Sequence, residues 1–364
     1  MTTPVSHRDF TILLAACAVL AITTLFFVTV AWSVSSSDRV QVLGGGRYLV
    51  TETHSVDADG LTGIRLTGPR NLGGQVIVNV GGDSVGIEIN KILRVTSSQI
   101  AEDLDREIEV SVHPVGSTLG IEVETPRGAQ WEGTDWNVQL ELTLTIPTGW
   151  NLDFDTRHFE FDLNGPFNDV NVRTEFGRVN VRNVSRQVDI RGNYTGIELE
   201  DVRGRISART AYSDLTVRHA IPAAEEPLKL MNSFGPIVVE ELVGALMVET
   251  ESAPITLKDI SLVGATSRVT GNNSSLDMSV NEFGRARLEI RTSHSTVNVV
   301  VPRHLSARLS LAVGQGGVIH TKGLPIQTHR NLLSQQRVEG ICGTGDGLID
   351  INGAGASMIE LVGQ

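Results

Sequence analysis

Val170-Asn-Val-Arg-Thr-Glu-Phe-Gly-Arg-Val-Asn-Val181 is followed, after a short gap, by Val188-Asp-Ile-Arg-Gly-Asn-Tyr-Thr-Gly-Ile-Glu-Leu199. Each phrase holds two short runs in which apolar and polar residues alternate, the period of a strand with one buried face. Between the runs lie five small or polar residues centred on an aromatic, Phe176 in one phrase and Tyr194 in the other. Gly, Asn and Ser at such positions supply the bends of a β-arc.

The pattern extends in both directions. The first inward residue of each strand pair falls at Leu152, Val170, Val188, Ile206, Leu228, Leu246, Ser267, Leu288 and Leu309, in steps of 18, 18, 18, 22, 18, 21, 21 and 21. The second strand begins nine residues later every time: Phe161, Val179, Ile197, Leu215, Ile237, Ile255, Leu276, Val297 and Val318. A rung of this size cannot bury its own apolar face, so neighbouring rungs must stack and share a continuous core. The expected fold is all-β: a single-stranded-coil β-solenoid with rungs of about 18–22 residues, two short strands each. At ~4.8 Å per rung the regular part is about 40 Å long.

Outward positions test the register. On the second strand they read Arg182, Glu200, Arg218, Glu240, Lys258, an alternation of sign that favours parallel stacking. On the first strand, Arg173, Arg191 and Arg209 stack with like charge. Asp155, Glu175 and Asp189 are near enough in sequence to neutralise them; otherwise the three form an anion-binding stripe for phosphate, sulfate or uronate. Phe176, Tyr194, Tyr212 and Phe234 share one arc position and are expected to stack as a packing column.

Residues 61–150 are strand-rich but less regular and read as an N-terminal cap or first rungs. Val76/Val78 and Val85/Ile87 keep the nine-residue offset, Ile108–Val112 and Leu119–Val123 flank a hairpin turn, and a short helix fits Ser97–Leu104. The regular solenoid occupies 151–321, and 322–364 forms a loop and a C-terminal rung or cap. That rung carries Ile349/Ile351 and Ile359/Leu361, with one extra residue in its arc.

Residues 10–34, from Phe10 to Val34, carry no charge. A run this long spans the hydrocarbon core and exceeds the ~7–15 apolar residues of a signal peptide, so it reads as a transmembrane signal-anchor helix. Cleavage near Ala31 and lipidation at Cys17, in Leu14-Ala15-Ala16-Cys17, are the other readings. The expected arrangement is a cytoplasmic tail (1–9), the anchor (10–34), a linker (35–60) and an extracytoplasmic bulk, periplasmic or at the cell surface.

Composition narrows the partners. The net charge of −12, with no long basic run, argues against nucleic acid. The two cysteines, Cys17 and Cys342, are too far apart in context to pair, and no Cys or His pair has zinc-ligand spacing. No cofactor, metal or catalytic residue is expected. Gly343-Thr-Gly-Asp-Gly347 lacks the strand–helix frame of a nucleotide site.

The strand Gln139-Leu-Glu-Leu-Thr-Leu-Thr-Ile-Pro147, the phrase Leu152-Asp-Phe-Asp-Thr156 and the repeats quoted above resemble the bacterial "putative adhesin" family of unknown function. The resemblance covers roughly residues 60–362. It implies a β-solenoid of short, glycine-punctuated strands behind a single membrane helix, and it brings no catalytic residues. The function it suggests is a non-catalytic envelope scaffold that binds a glycan or a membrane-protein partner. The alternatives are a sensor or accessory subunit of an envelope-stress or transport system, and a β-helix carbohydrate-active enzyme.

Overall fold

The computed structural model describes residues 33–36, 40–126, 138–331 and 336–364, with 33–36 and 328–331 described by backbone alone. The apolar run at 10–34 lies outside the described residues, apart from Ser33 and Val34 in a strand, Ser33–Ser36, paired antiparallel with Ser55–Glu52. Among the described residues no helix is long and apolar enough to cross a membrane.

The body is a parallel stack in the register expected from the spacing. Val170, Val188 and Ile206 align on one side, and Phe161, Val179, Ile197, Leu215, Ile237, Ile255, Leu276 and Val297 on the other. These inward residues are buried. Ser267 occupies an apolar position without penalty because its Oγ accepts the Leu246 N–H at 3.2 Å.

Seven rungs have a third inward position that a two-strand description omits. Phe167, Val184, Val202, Ala220, Leu242, Ile260 and Val280 form a further buried column. At five of these the chain reaches it through one residue of left-handed backbone. Asn183, Asp201, His219, Glu241 and Asp259 take φ of 60°, 54°, 52°, 58° and 56°. A non-glycine residue is strained there, and Asn and Asp tolerate it best because their side chains bond locally.

The corner between the first two strands is lined inside by buried hydroxyls and an amide. Thr174 donates to Arg157 O at 3.2 Å, Thr210 to Thr195 O at 2.8 Å and Asn232 to Ser213 O at 2.6 Å. Each side chain thereby ties the corner to a backbone carbonyl from inside.

Both ends depart from sequence order. At the N-terminal end, strands Gly63–Thr67 and Gly73–Val80 lie between Thr118–Glu124/Val138–Ile146 and Asn151–Asp155/His158–Asn164. Val85 and Ile87 therefore do not continue that rung. They belong to Ser84–Arg94, which runs antiparallel against Arg47–Asp57 and Val138–Ile146. The stretch 35–60 is accordingly no open linker, since Gln41–Gly44 and Arg47–Asp57 form a hairpin within this cap. The hairpin Glu109–Val115/Thr118–Glu124 and the helix Ser98–Glu107, N-capped by Ser97, complete it.

At the C-terminal end, Gly347–Ala354 and Met358–Gly363 insert between the Leu288 rung and the Leu309 rung, which are consecutive in sequence but not in space. The segment read as a loop carries Gln327–Asn331 and Arg337–Cys342. The latter pairs antiparallel with Ala307–Val313 and covers that edge of the stack.

Candidate functional site: the outward columns

Because the register is parallel, every outward position becomes a column along the stack, and the surface is a set of such columns. Three stand out.

The arginine stripe is assembled as its spacing implies. Asp155 aligns with Arg173, Arg173 with Arg191 and Arg191 with Arg209. The expected neutralisation is only partly realised. Asp189 bonds Arg191 at 2.9 Å, but Glu175 is turned to Arg157 at 2.6 Å. Among the described residues Arg173 and Arg209 form no ion pair. Arg173 and Arg191 line a surface cavity of about 430 Å³ with Arg157 and with Arg70, which the N-terminal inserted strands bring from far away in sequence. The cavity's carboxylates are Asp155 and Glu175.

The charge ladder of the second strand is committed to itself. Arg182 bonds Glu200 at 3.1 Å, Arg218 bonds Glu198 and, at 3.3 Å, Glu240, and Lys258 bonds Glu240 at 3.4 Å. One residue on, the left-handed column lines a groove of about 870 Å³. There His219 lies between two carboxylates, Nδ1 at 3.5 Å from Asp201 and Nε2 at 3.1 Å from Glu241. Asp259 accepts from Asn281 at 3.1 Å. Acidic groups thus gather along one side of the stack, one to a rung. The missed signal was the shared offset of residues 183, 201, 219, 241 and 259. Ligand atoms of Glu200, Asp201 and His219 fall within 4.8 Å of one another, a spacing a divalent cation can bridge. The same groups are already engaged with Arg182 and with each other.

The aromatic column forms as expected and gains a member. His158 stacks on Phe176 at 4.8 Å, and Phe176, Tyr194, Tyr212 and Phe234 follow at 5.2, 4.7 and 5.1 Å between centroids. Interplanar angles of 4–19° mean that the rings between Phe176 and Tyr212 are covered on both faces. The exposure of Tyr194 and Tyr212, 46% and 51%, is exposure of ring edges, whereas Phe234, 48% exposed, ends the column with one face stacked. Such a column stabilises the arcs; it offers no open face to a ligand between its rungs. Burial, and secondarily the adjacent Arg157, hold the His158 imidazole below its ordinary pKa.

No family model matches the chain, and no curated protein matches it. Solved structures similar to it include a "putative cell adhesion protein" from Clostridium sporogenes, 11% identical, covering 87% of this chain and 100% of that one at a TM-score of 0.22. A "putative adhesin" from Bacteroides fragilis is 10% identical over 86% of this chain and 96% of its own, at a TM-score of 0.28. A further "putative adhesin", from Parabacteroides distasonis, is 8% identical over 86% and 96%, at 0.24. At these TM-scores the likenesses carry no argument, and the functional reading rests on the chain's own geometry.

Proposed function

We propose that this chain is a non-catalytic, adhesin-like scaffold of the bacterial cell envelope, held in the membrane by its N-terminal segment and presenting the solenoid outside the cytoplasm. The observation that supports it most is the organisation of the surface. A stack with a fixed register repeats each outward chemistry along a line, which suits an extended partner better than a small substrate. In the groove and the charge ladder the side chains that could do chemistry are held in mutual pairs. His219 is bracketed by Asp201 and Glu241, and the carboxylates of Glu198, Glu200 and Glu240 bind Arg or Lys. A hydrolase of the β-helix type needs two carboxylates free to act on one bond.

Membrane fractionation tests the anchor. The full chain should remain in the pellet after an alkaline carbonate wash, and a chain beginning at residue 35 should be released. Release of the full chain by the wash would refute anchoring. Turnover of any polysaccharide that fell on substitution of His219 would refute the non-catalytic assignment.

A further inference from the structure

The solenoid matches most of its guanidinium groups to carboxylates on neighbouring rungs or turns. Arg182 is set against Glu200, Arg186 against Asp169, Arg205 against Glu226 and Arg268 against Glu289. The stripe is different. Arg173, Arg191 and Arg209 sit directly over one another on successive strands, where like charges oppose pairing. All three are exposed, and among the described residues Asp189 is the one acid that bonds any of them. Arg70 adds another guanidinium without an ion pair among the described residues. Arg70, Arg157, Arg173 and Arg191 against Asp155 and Glu175 give the cavity a positive balance on a chain whose net charge is −12, and Arg209 continues the stripe on the strand beyond it.

We propose that the stripe and its cavity bind a linear anionic glycan, one acid group per rung. The inference deepens the scaffold reading and rests on it. Successive rungs are ~4.8 Å apart, a spacing comparable to the rise per ring along a chain of uronates. Guanidinium forks grip carboxylate, sulfate or phosphate in bidentate fashion, and a repeated fork selects a repeated anion over a single one. The cavity, about 430 Å³, is of a size that takes sugar rings. Its lining also offers the side chain of Asn193. The charge of the stripe lies along the stack axis, so the bound chain runs parallel to that axis and across the strands.

Titration calorimetry on the full-length chain in detergent tests this, with oligogalacturonate as the uronate probe, poly(glycerol phosphate) as the phosphate probe and dextran as the neutral one. The expected result is binding of a polyanion, weakened by added salt and reduced at least about tenfold in the R173S/R191S/R209S variant. That variant should melt no lower than the parent, because its side chains are exposed and their mutual repulsion is removed. Asp155→Asn, which takes a carboxylate out of the cavity, should tighten binding. The two polyanion arms separate a sugar-acid ligand from a polyol-phosphate one. Equal affinity for dextran, affinity unchanged in the triple variant, or no binding of either polyanion would overturn the proposal. None of these results would alter the carbonate-wash outcome, so failure of the stripe and failure of the anchor are read separately.

Discussion

Gly192 shows how closely the interior specifies single residues. At the corner position where other rungs carry Thr174, Thr210, Asn232 or Thr250, this rung has glycine, and a Cβ there would lie 2.4 Å from that of Thr195. Gly271 stands in the same relation to Ser274, whose Oγ would be 2.3 Å away. The hydroxyl that fills the corner has moved across the arc, and the position it left must be empty. Gly192→Ala should therefore destabilise by roughly 1–3 kcal/mol through overpacking, and the penalty should shrink in a Thr195→Gly background, which lacks the clashing Cβ, as read by urea unfolding. A second test uses Glu289, buried beside Arg268 at 2.8 Å and Arg287 at 2.6 Å. The hydrogen bond from Arg268 holds its carboxyl below the ordinary carboxylate range, against the opposing effect of burial. A depressed pKa contributes stability that is present above the unfolded value and lost as pH falls through the folded one. The stability gap between the parent and Glu289→Gln should be constant near neutrality and narrow on acidification below the ordinary glutamate range. A gap that widened in acid would contradict this assignment.

Among the elements, the helix Ser98–Glu107 depends on one buried ion. Lys91, 3% exposed, bonds Glu52 at 2.7 Å and Asp105 at 2.8 Å, so a single ammonium ties the strand Arg47–Asp57 to the helix. Removing one member of a buried ionic group typically costs ~3–5 kcal/mol. Lys91→Ala should lower stability by about 3 kcal/mol and raise amide exchange selectively in that helix, while the rungs after residue 170 stay protected. The helix, the hairpin turning at residues 116–117 and the strand Val138–Ile146 were legible because capping, turn and alternation signals are local. The third inward column was not. Its residues follow a left-handed position that breaks the alternation, and Ala220 is too small to advertise a core site.

Over the whole molecule, the middle was legible and the ends were not, for one physical reason. Rungs from Leu152 to Leu288 are joined by short arcs, so sequence spacing dictates which strand lies on which. Ile64 and Ile349 reach their neighbours through long excursions, and their place is decided by which edges remain to be paired. The arginine stripe was legible as a column, whereas Arg70, placed by such an excursion, was not. The insertion at the C-terminal end is testable with cysteine pairs in a background lacking Cys17 and Cys342. Glu289→Cys with Asp350→Cys should form a disulfide, since those residues align on adjacent strands. Glu289→Cys with Ser310→Cys should not, since the inserted strand holds them beyond the ~7 Å limit for bridging. The most direct measurement of the central claim, a scaffold held outside the cytoplasm by its N-terminal segment, is labelling of intact cells or spheroplasts with a membrane-impermeant maleimide. A cysteine at Glu249, outward on the stack, should label before lysis, and one at Ser6 only after it. Protection of position 249 until lysis would contradict the account.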